Sequence, residues 1–170
     1  MNLLLAGPPG VGKSTIGRLC AERLDYTFID IDEKIVARAR TSISEIFAQQ
    51  GEAAFRVLER EAVEKAVAQD GRVIALGGGA LLDRNNRRLA TTTGPVVCLR
   101  AREESIRTRL GASRERPLLD EEKGGAALRT LLGERAAHYD SFALQLQTDR
   151  LTPEAAAECI VAELMPWQST

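Results

Sequence analysis

Lys13 and Ser14 close the stretch Gly7-Pro8-Pro9-Gly10-Val11-Gly12-Lys13-Ser14, and no other residues in the chain state their chemistry so directly. Glycines at that spacing let backbone N–H groups converge on an anion, and a helix N-terminus behind them adds partial positive charge. The lysine can reach the β- and γ-phosphates of a nucleotide, and the hydroxyl beside it can ligate the magnesium that travels with them. A Gly-rich turn without a ligand is the plainer alternative. Eight matching positions leave it little room, because the apolar run Leu3-Leu4-Leu5-Ala6 precedes them and helical spacing at Ile16, Leu19, Cys20 and Leu24 follows.

Further chemistry-bearing groups follow in the chain. Asp30-Ile31-Asp32 stands at the carboxyl end of an expected strand over 26–29, the edge at which open parallel sheets bind ligands. If the strand continues through them, both acids share one face; one would hold magnesium and the other would receive the hydrogen of an attacking hydroxyl. The competing reading makes Asp32 only the cap of a helix beginning at Glu33. Arg56 lies between Glu52 and Glu59 at helical spacing, which fits a solvated face or a guanidinium held toward a substrate carboxylate. Gly77-Gly78-Gly79 follows an apolar strand, and three adjacent glycines imply that something approaches the backbone closely. Six arginines fall between positions 100 and 116, and the segment around Arg114 and Arg116, with glycines on either side, reads as a lid over 111–123 or as a solvated basic loop.

These groups need a scaffold that brings distant stretches to one edge. Short apolar runs at 3–6, 26–29, 73–76, 96–99 and 144–148 alternate with helical patterns at 33–40, 43–47, 53–68, 83–90, 103–110, 126–141 and 154–164. Ser42 and Thr152 are placed as caps. The alternation predicts a single α/β domain with a mostly parallel five-stranded sheet.

Composition narrows the partners. The 170 residues suit one domain, and a formal net charge of −1 argues against general binding of nucleic acid or anionic membrane. Of the 23 basic residues 19 are arginine, which suits anion recognition, although genome-wide base composition explains such a bias equally simply. Cys20, Cys98 and Cys159 are widely spaced and are expected as small core residues. With no long apolar run and no evident leader after Met1-Asn2, a cytoplasmic protein without a membrane partner is expected.

Taken together, the motifs resemble the shikimate kinase family of P-loop kinases. The likeness is carried by 7–15, the Asp30/Asp32 pair, Ser42 through Phe47 with Gly51-Glu52, Phe55-Arg56 and Glu59, the triple glycine, Arg116-Pro117-Leu118-Leu119, and Glu134-Arg135 with Tyr139. The resemblance implies a three-layer fold with sheet order 2-3-1-4-5, a helical substrate-binding segment at 32–60 and a lid. It implies transfer of the γ-phosphoryl group of ATP to the 3-hydroxyl of shikimate, with Mg2+ as cofactor and a monomer as the working form.

Carried over by position, the resemblance gives ATP to Gly10, Val11, Gly12, Lys13, Ser14, Thr15, Arg109, Arg116 and Pro153, and magnesium to Ser14 and Asp30. Asp32, Arg56, Gly77, Gly78, Gly79 and Arg135 would meet the acid, with Phe47 and Phe55 as walls. Lys13, Asp32 and Arg116 would be catalytic. The rivals are a kinase for another hydroxy acid such as gluconate, a ligand-sensing module without turnover, and a nucleotide-binding interaction domain. The first has no evident use for Phe55-Arg56 beside three glycines, and intact Lys13, Ser14, Asp30 and Asp32 favour an enzyme over the other two.

Overall fold

Five strands, β1 (Leu3–Ala6), β2 (Thr27–Asp30), β3 (Arg72–Ala75), β4 (Val96–Arg100) and β5 (Leu144–Gln147), form one sheet in the order β2-β3-β1-β4-β5 in the computed structural model. All four pairings are parallel, with Leu4 opposite Ile74 on one side of β1 and opposite Val96 on the other. The structure describes residues 1–111 and 121–164. The strand order and class match the sequence-based expectation.

β1 is buried along its whole length because it lies at the centre of the sheet with helices on both faces. Its side chains alternate between two cores. Leu3 and Leu5 pack with Ile16, Cys20 and Ala21 of α1 (Lys13–Leu24) and with Ala156, Ala157 and Ile160 of α8 (Pro153–Leu164). Leu4 and Ala6 face the other layer, built from α2 (Ile31–Ala39), α3 (Ile43–Val67), α4 (Arg84–Thr93) and α7 (Ala136–Asp140). Each such side chain taken from water contributes about 1.5–3 kcal/mol, so the two cores hold the sheet's carboxyl edge rigid beneath the site. Among the described residues the other α-helices are α5 (Glu103–Gly111) and α6 (Glu121–Glu134).

Several local expectations need correction. The strand does not continue through both acids: β2 stops at Asp30, and α2 begins at Ile31, two residues before the expected start. The two helices expected at 43–47 and 53–68 are the arms of one kinked α3, bent at Gly51 (φ 78°, ψ 174°) and started by a capping box of Ser42 and Glu45. The helix expected over 126–141 starts earlier, at Glu121, and breaks at Arg135 into α6 and α7. Gly124-Gly125 lies within α6; residues 112–120 of the expected lid, with Arg114 and Arg116, lie outside the described residues. Cys20 and Cys98 are buried as expected, whereas Cys159 is exposed on α8.

Candidate active site

The loop between β1 and α1 turns on Gly7, Gly10 and Gly12, all at positive φ. A Cβ on Gly7 would sit 2.4 Å from the Leu99 carbonyl oxygen, so the loop lies against β4 too closely for any side chain there. Gly12 caps α1 without a side-chain acceptor, and no acid occupies the first turn. The helix start thus presents N–H donors and partial positive charge with nothing anionic of its own beside them, which suits phosphate. Lys13 curls over the loop, its Nζ donating to the Gly7 and Pro8 carbonyls at 2.9 and 2.8 Å.

Asp30 joins this loop to the sheet edge. One carboxylate oxygen accepts from the backbone N–H groups of Asp32 (3.0 Å) and Glu33 (3.3 Å), capping α2, and the other accepts the Ser14 hydroxyl at 2.5 Å. The cap of α2 is therefore Asp30 and not Asp32. Asp32 sits in the first turn of α2, aimed at the glycine stretch: a Cβ on Gly77 would lie 3.1 Å from its Oδ1 and 2.8 Å from Glu59 Oε1. Ser14 and Asp30 supply a hydroxyl and a carboxylate, the hard oxygen donors that magnesium takes alongside phosphate oxygens. No cluster of three His, Cys, Asp or Glu suited to a metal is present among the described residues, so a purely protein-built cage is not what this edge offers.

Across the cleft, Arg56 is gripped by two carboxylates. Glu59 accepts from its Nη1 at 2.7 Å and Glu52 from its Nη2 at 2.9 Å. The two partners differ in setting: the Glu52 side chain is 65% exposed and that of Glu59 only 2%. Burial, with Asp32 nearby, raises the Glu59 carboxyl above the usual carboxylate range, against the pull of Arg56 and Arg135. Burying a charge on one side of Arg56 identifies it as held in place and not merely solvated. Phe47 and Phe55 approach to 4.8 Å between ring centroids, and the Arg56 guanidinium stands 5.3 Å from the Phe55 ring. The kink at Gly51 lies between the two rings and folds them together.

The glycine run closes this pocket. A Cβ on Gly79 would lie 3.2 Å from Arg135 Nη1 and 3.3 Å from Arg56 Nη2, and one on Gly78 would lie 3.1 Å from Pro9 of the phosphate loop. The close approach expected at these glycines thus comes first from the protein's own acids, guanidinium groups and loop. Two guanidinium groups meeting over bare backbone offer the kind of donors that a small carboxylate can accept from.

At the opposite end, Arg109 donates to the Val11 carbonyl (3.1 Å), to Thr148 Oγ1 (3.0 Å) and to the Thr148 carbonyl (3.1 Å). It forms a rim beside Pro153. One cleft of about 1220 Å3 is lined by Gly10, Val11, Gly12, Lys13, Ser14, Thr15, Asp30, Asp32, Phe47, Phe55, Arg56, Gly77, Gly78, Gly79, Arg109, Arg135 and Pro153. Those are all the expected site residues apart from Arg116, which lies outside the described residues. Val36, Ile43 and Thr148 also line it and are absent from the sequence-based set. Val36 stands one helical turn after Asp32 and was open to that inference; nothing in the sequence marks Thr148, whose role arises from its contact with Arg109.

The family model described as Shikimate kinase matches residues 9–165. A shikimate kinase of Xanthomonas axonopodis pv. citri (strain 306) is 40% identical over 169 residues, covering 98% of this chain and 94% of its own. One from Geobacter sulfurreducens is 46% identical over 147 residues, covering 86% and 81%. The solved shikimate kinase from Acinetobacter baumannii in complex with shikimate matches with a TM-score of 0.90 at 31% identity, covering 99% of this chain and 95% of that one.

Proposed function

The chain belongs to the shikimate kinase family, and from that premise we propose that its cleft transfers the γ-phosphoryl group of ATP to the 3-hydroxyl of shikimate, giving shikimate 3-phosphate and ADP for aromatic amino-acid biosynthesis. The observation that carries this reading is the meeting of Arg56 and Arg135 over Gly79 in the same cleft as the phosphate loop. A nucleotide site alone fits many reactions; a paired guanidinium site beside it calls for an acceptor that is itself an acid.

The phosphate loop and the start of α1 hold the β- and γ-phosphates, and Lys13 exchanges its loop carbonyls for phosphate oxygens. Ser14 and Asp30 would hold magnesium, which would neutralise phosphate charge and help fix the nucleotide's orientation. Arg56 and Arg135 take the carboxylate of the acid, Phe47 and Phe55 wall its ring, and Asp32 receives the hydrogen of the attacking hydroxyl. As the new O–P bond forms and the bond to the β-phosphate breaks, that hydrogen passes toward Asp32 Oδ. Residues 32–60 act as the acid-binding segment; the lid expected over 111–123, with Arg116, falls mostly outside the described residues and carries no step here. We retain the expected monomeric, cytoplasmic form.

The test is ADP release with ATP and magnesium in the presence of shikimate, of gluconate, or of no acceptor. Turnover that requires shikimate is expected, and Lys13→Ala should lower it by about 10³-fold. Turnover with gluconate but not shikimate would overturn the assignment of the acid pocket.

A further inference from the structure

Tyr139 does not line the cleft, yet its hydroxyl donates to the carbonyl of Gly78 at 2.8 Å. The ring is 2% exposed within the core beneath the sheet edge, beside Phe142 and Cys98. Arg100 stands 5.9 Å from the ring centroid and the His138 ring lies tilted against it at 5.4 Å, so the phenol is bounded on several sides. The Arg135 guanidinium lies beside the same hydroxyl, and the Tyr139 N–H donates to the Arg135 carbonyl at 3.0 Å. One side chain therefore touches both halves of the carboxylate receptor: the glycine backbone and the arginine above it.

We propose that Tyr139 is a positioning residue that sets the Gly78–Gly79 peptide and Arg135 in register for the acid. The peptide is trans and planar, so fixing its carbonyl on the core side turns the Gly79 N–H the opposite way, toward the cleft. That N–H is then a third donor for an anion, with Arg56 and Arg135, whose guanidinium nitrogens lie 3.3 and 3.2 Å from a Cβ built on Gly79. A glycine pair has no side chain to hold its peptide plane, and without an anchor it would rotate at little cost. The Ala80 N–H closes a turn around this peptide by donating to the Gly77 carbonyl at 3.0 Å, and the buried phenol holds the peptide's own carbonyl. The break in the helix at Arg135 (φ −102°, ψ 4°) serves the same register, because α7 can seat Tyr139 in the core while Arg135 still reaches over Gly79.

The proposal rests on the acid-pocket reading above, and the experiment separates the two. Tyr139→Phe removes the hydroxyl and keeps the ring packed. We expect it to raise the shikimate KM about tenfold while leaving the ATP KM within about twofold, the loss of one buried hydrogen bond felt at one substrate. In an Arg135→Ala background the same change should have less than half that effect on shikimate KM, since the two act on one receptor. If Arg135→Ala alone leaves the shikimate KM unchanged, the acid pocket itself is misassigned. If Arg135→Ala raises it and Tyr139→Phe does not, or raises both KM values alike, the positioning role is overturned while the pocket stands. Thermal unfolding of Tyr139→Phe in the same buffer checks that the KM values belong to folded enzyme.

Discussion

Arg56 owes its direction to two carboxylates of different kinds. Glu52 is in water and gives an ion pair worth a few tenths of a kcal/mol, whereas Glu59 is sealed beneath the guanidinium. The planar fork matters as much as the charge. Arg56→Lys should therefore resemble Arg56→Ala, each raising the shikimate KM by about 10²-fold in initial-rate assays with little change in ATP KM. Glu59 carries its own signature in stability. Its carboxyl is raised in the folded state, so the native chain binds the proton more tightly than the unfolded chain, and its ionisation lowers stability as pH rises from the ordinary carboxylate range through the raised value. Glu59→Gln removes that slope. Melting curves should show wild type losing stability relative to this variant as pH rises above the ordinary carboxylate range, with the variant nonetheless weaker for shikimate. An unchanged pH slope would mean that Glu59 is not the group responsible.

At the scale of elements, the kink in α3 is the feature on which the acid pocket turns. Gly51 has no neighbour within 4 Å of a built Cβ, so space would admit alanine there. Its backbone would not: φ 78°, ψ 174° is a region that L side chains rarely adopt. Gly51→Ala should cost about 1–3 kcal/mol in denaturant unfolding and raise the shikimate KM as the Phe47–Phe55 pair opens. Equal stability in the two proteins would show that the kink relaxes without cost. Gly51 as an interruption is legible in the sequence, as is the Ser42 cap with Glu45 three residues on. That Asp30 and not Asp32 caps α2 is not, because it depends on where β2 stops. Pairing with β3 ends with Asp30 opposite Ala75, and that boundary is a tertiary fact. The break at Arg135 is equally hidden: Ala136-Ala137 favour a continuous helix, and only the seating of Tyr139 in the core gives a reason to interrupt it.

At the scale of the whole molecule, the sheet order is legible because the alternation of strands and helices leaves few topologies, and the family resemblance selects among them. The meeting of Gly79 with both Arg56 and Arg135 is less so, since it joins three stretches that only the folded sheet edge brings together. The phosphate-loop residues and the two arginines line one cleft, where water would be the competing nucleophile. ATP hydrolysis without shikimate should therefore run at less than about 1% of the rate with it, measured as phosphate release at saturating ATP and magnesium, if acid binding completes the site. Comparable rates would show that the catalytic groups are assembled before the acid arrives.

The glycine wall has a consequence for inhibitor resistance. A compound seated on Gly77, Gly78 and Gly79 meets main chain, and a substitution at any of the three that escapes it adds a Cβ. Such an atom would stand 2.8 Å from Glu59, 3.1 Å from Pro9 or 3.2 Å from Arg135. Each of those neighbours belongs to the acid pocket or the phosphate loop, so the same substitution that evicts the drug also disturbs the groups that the substrates need.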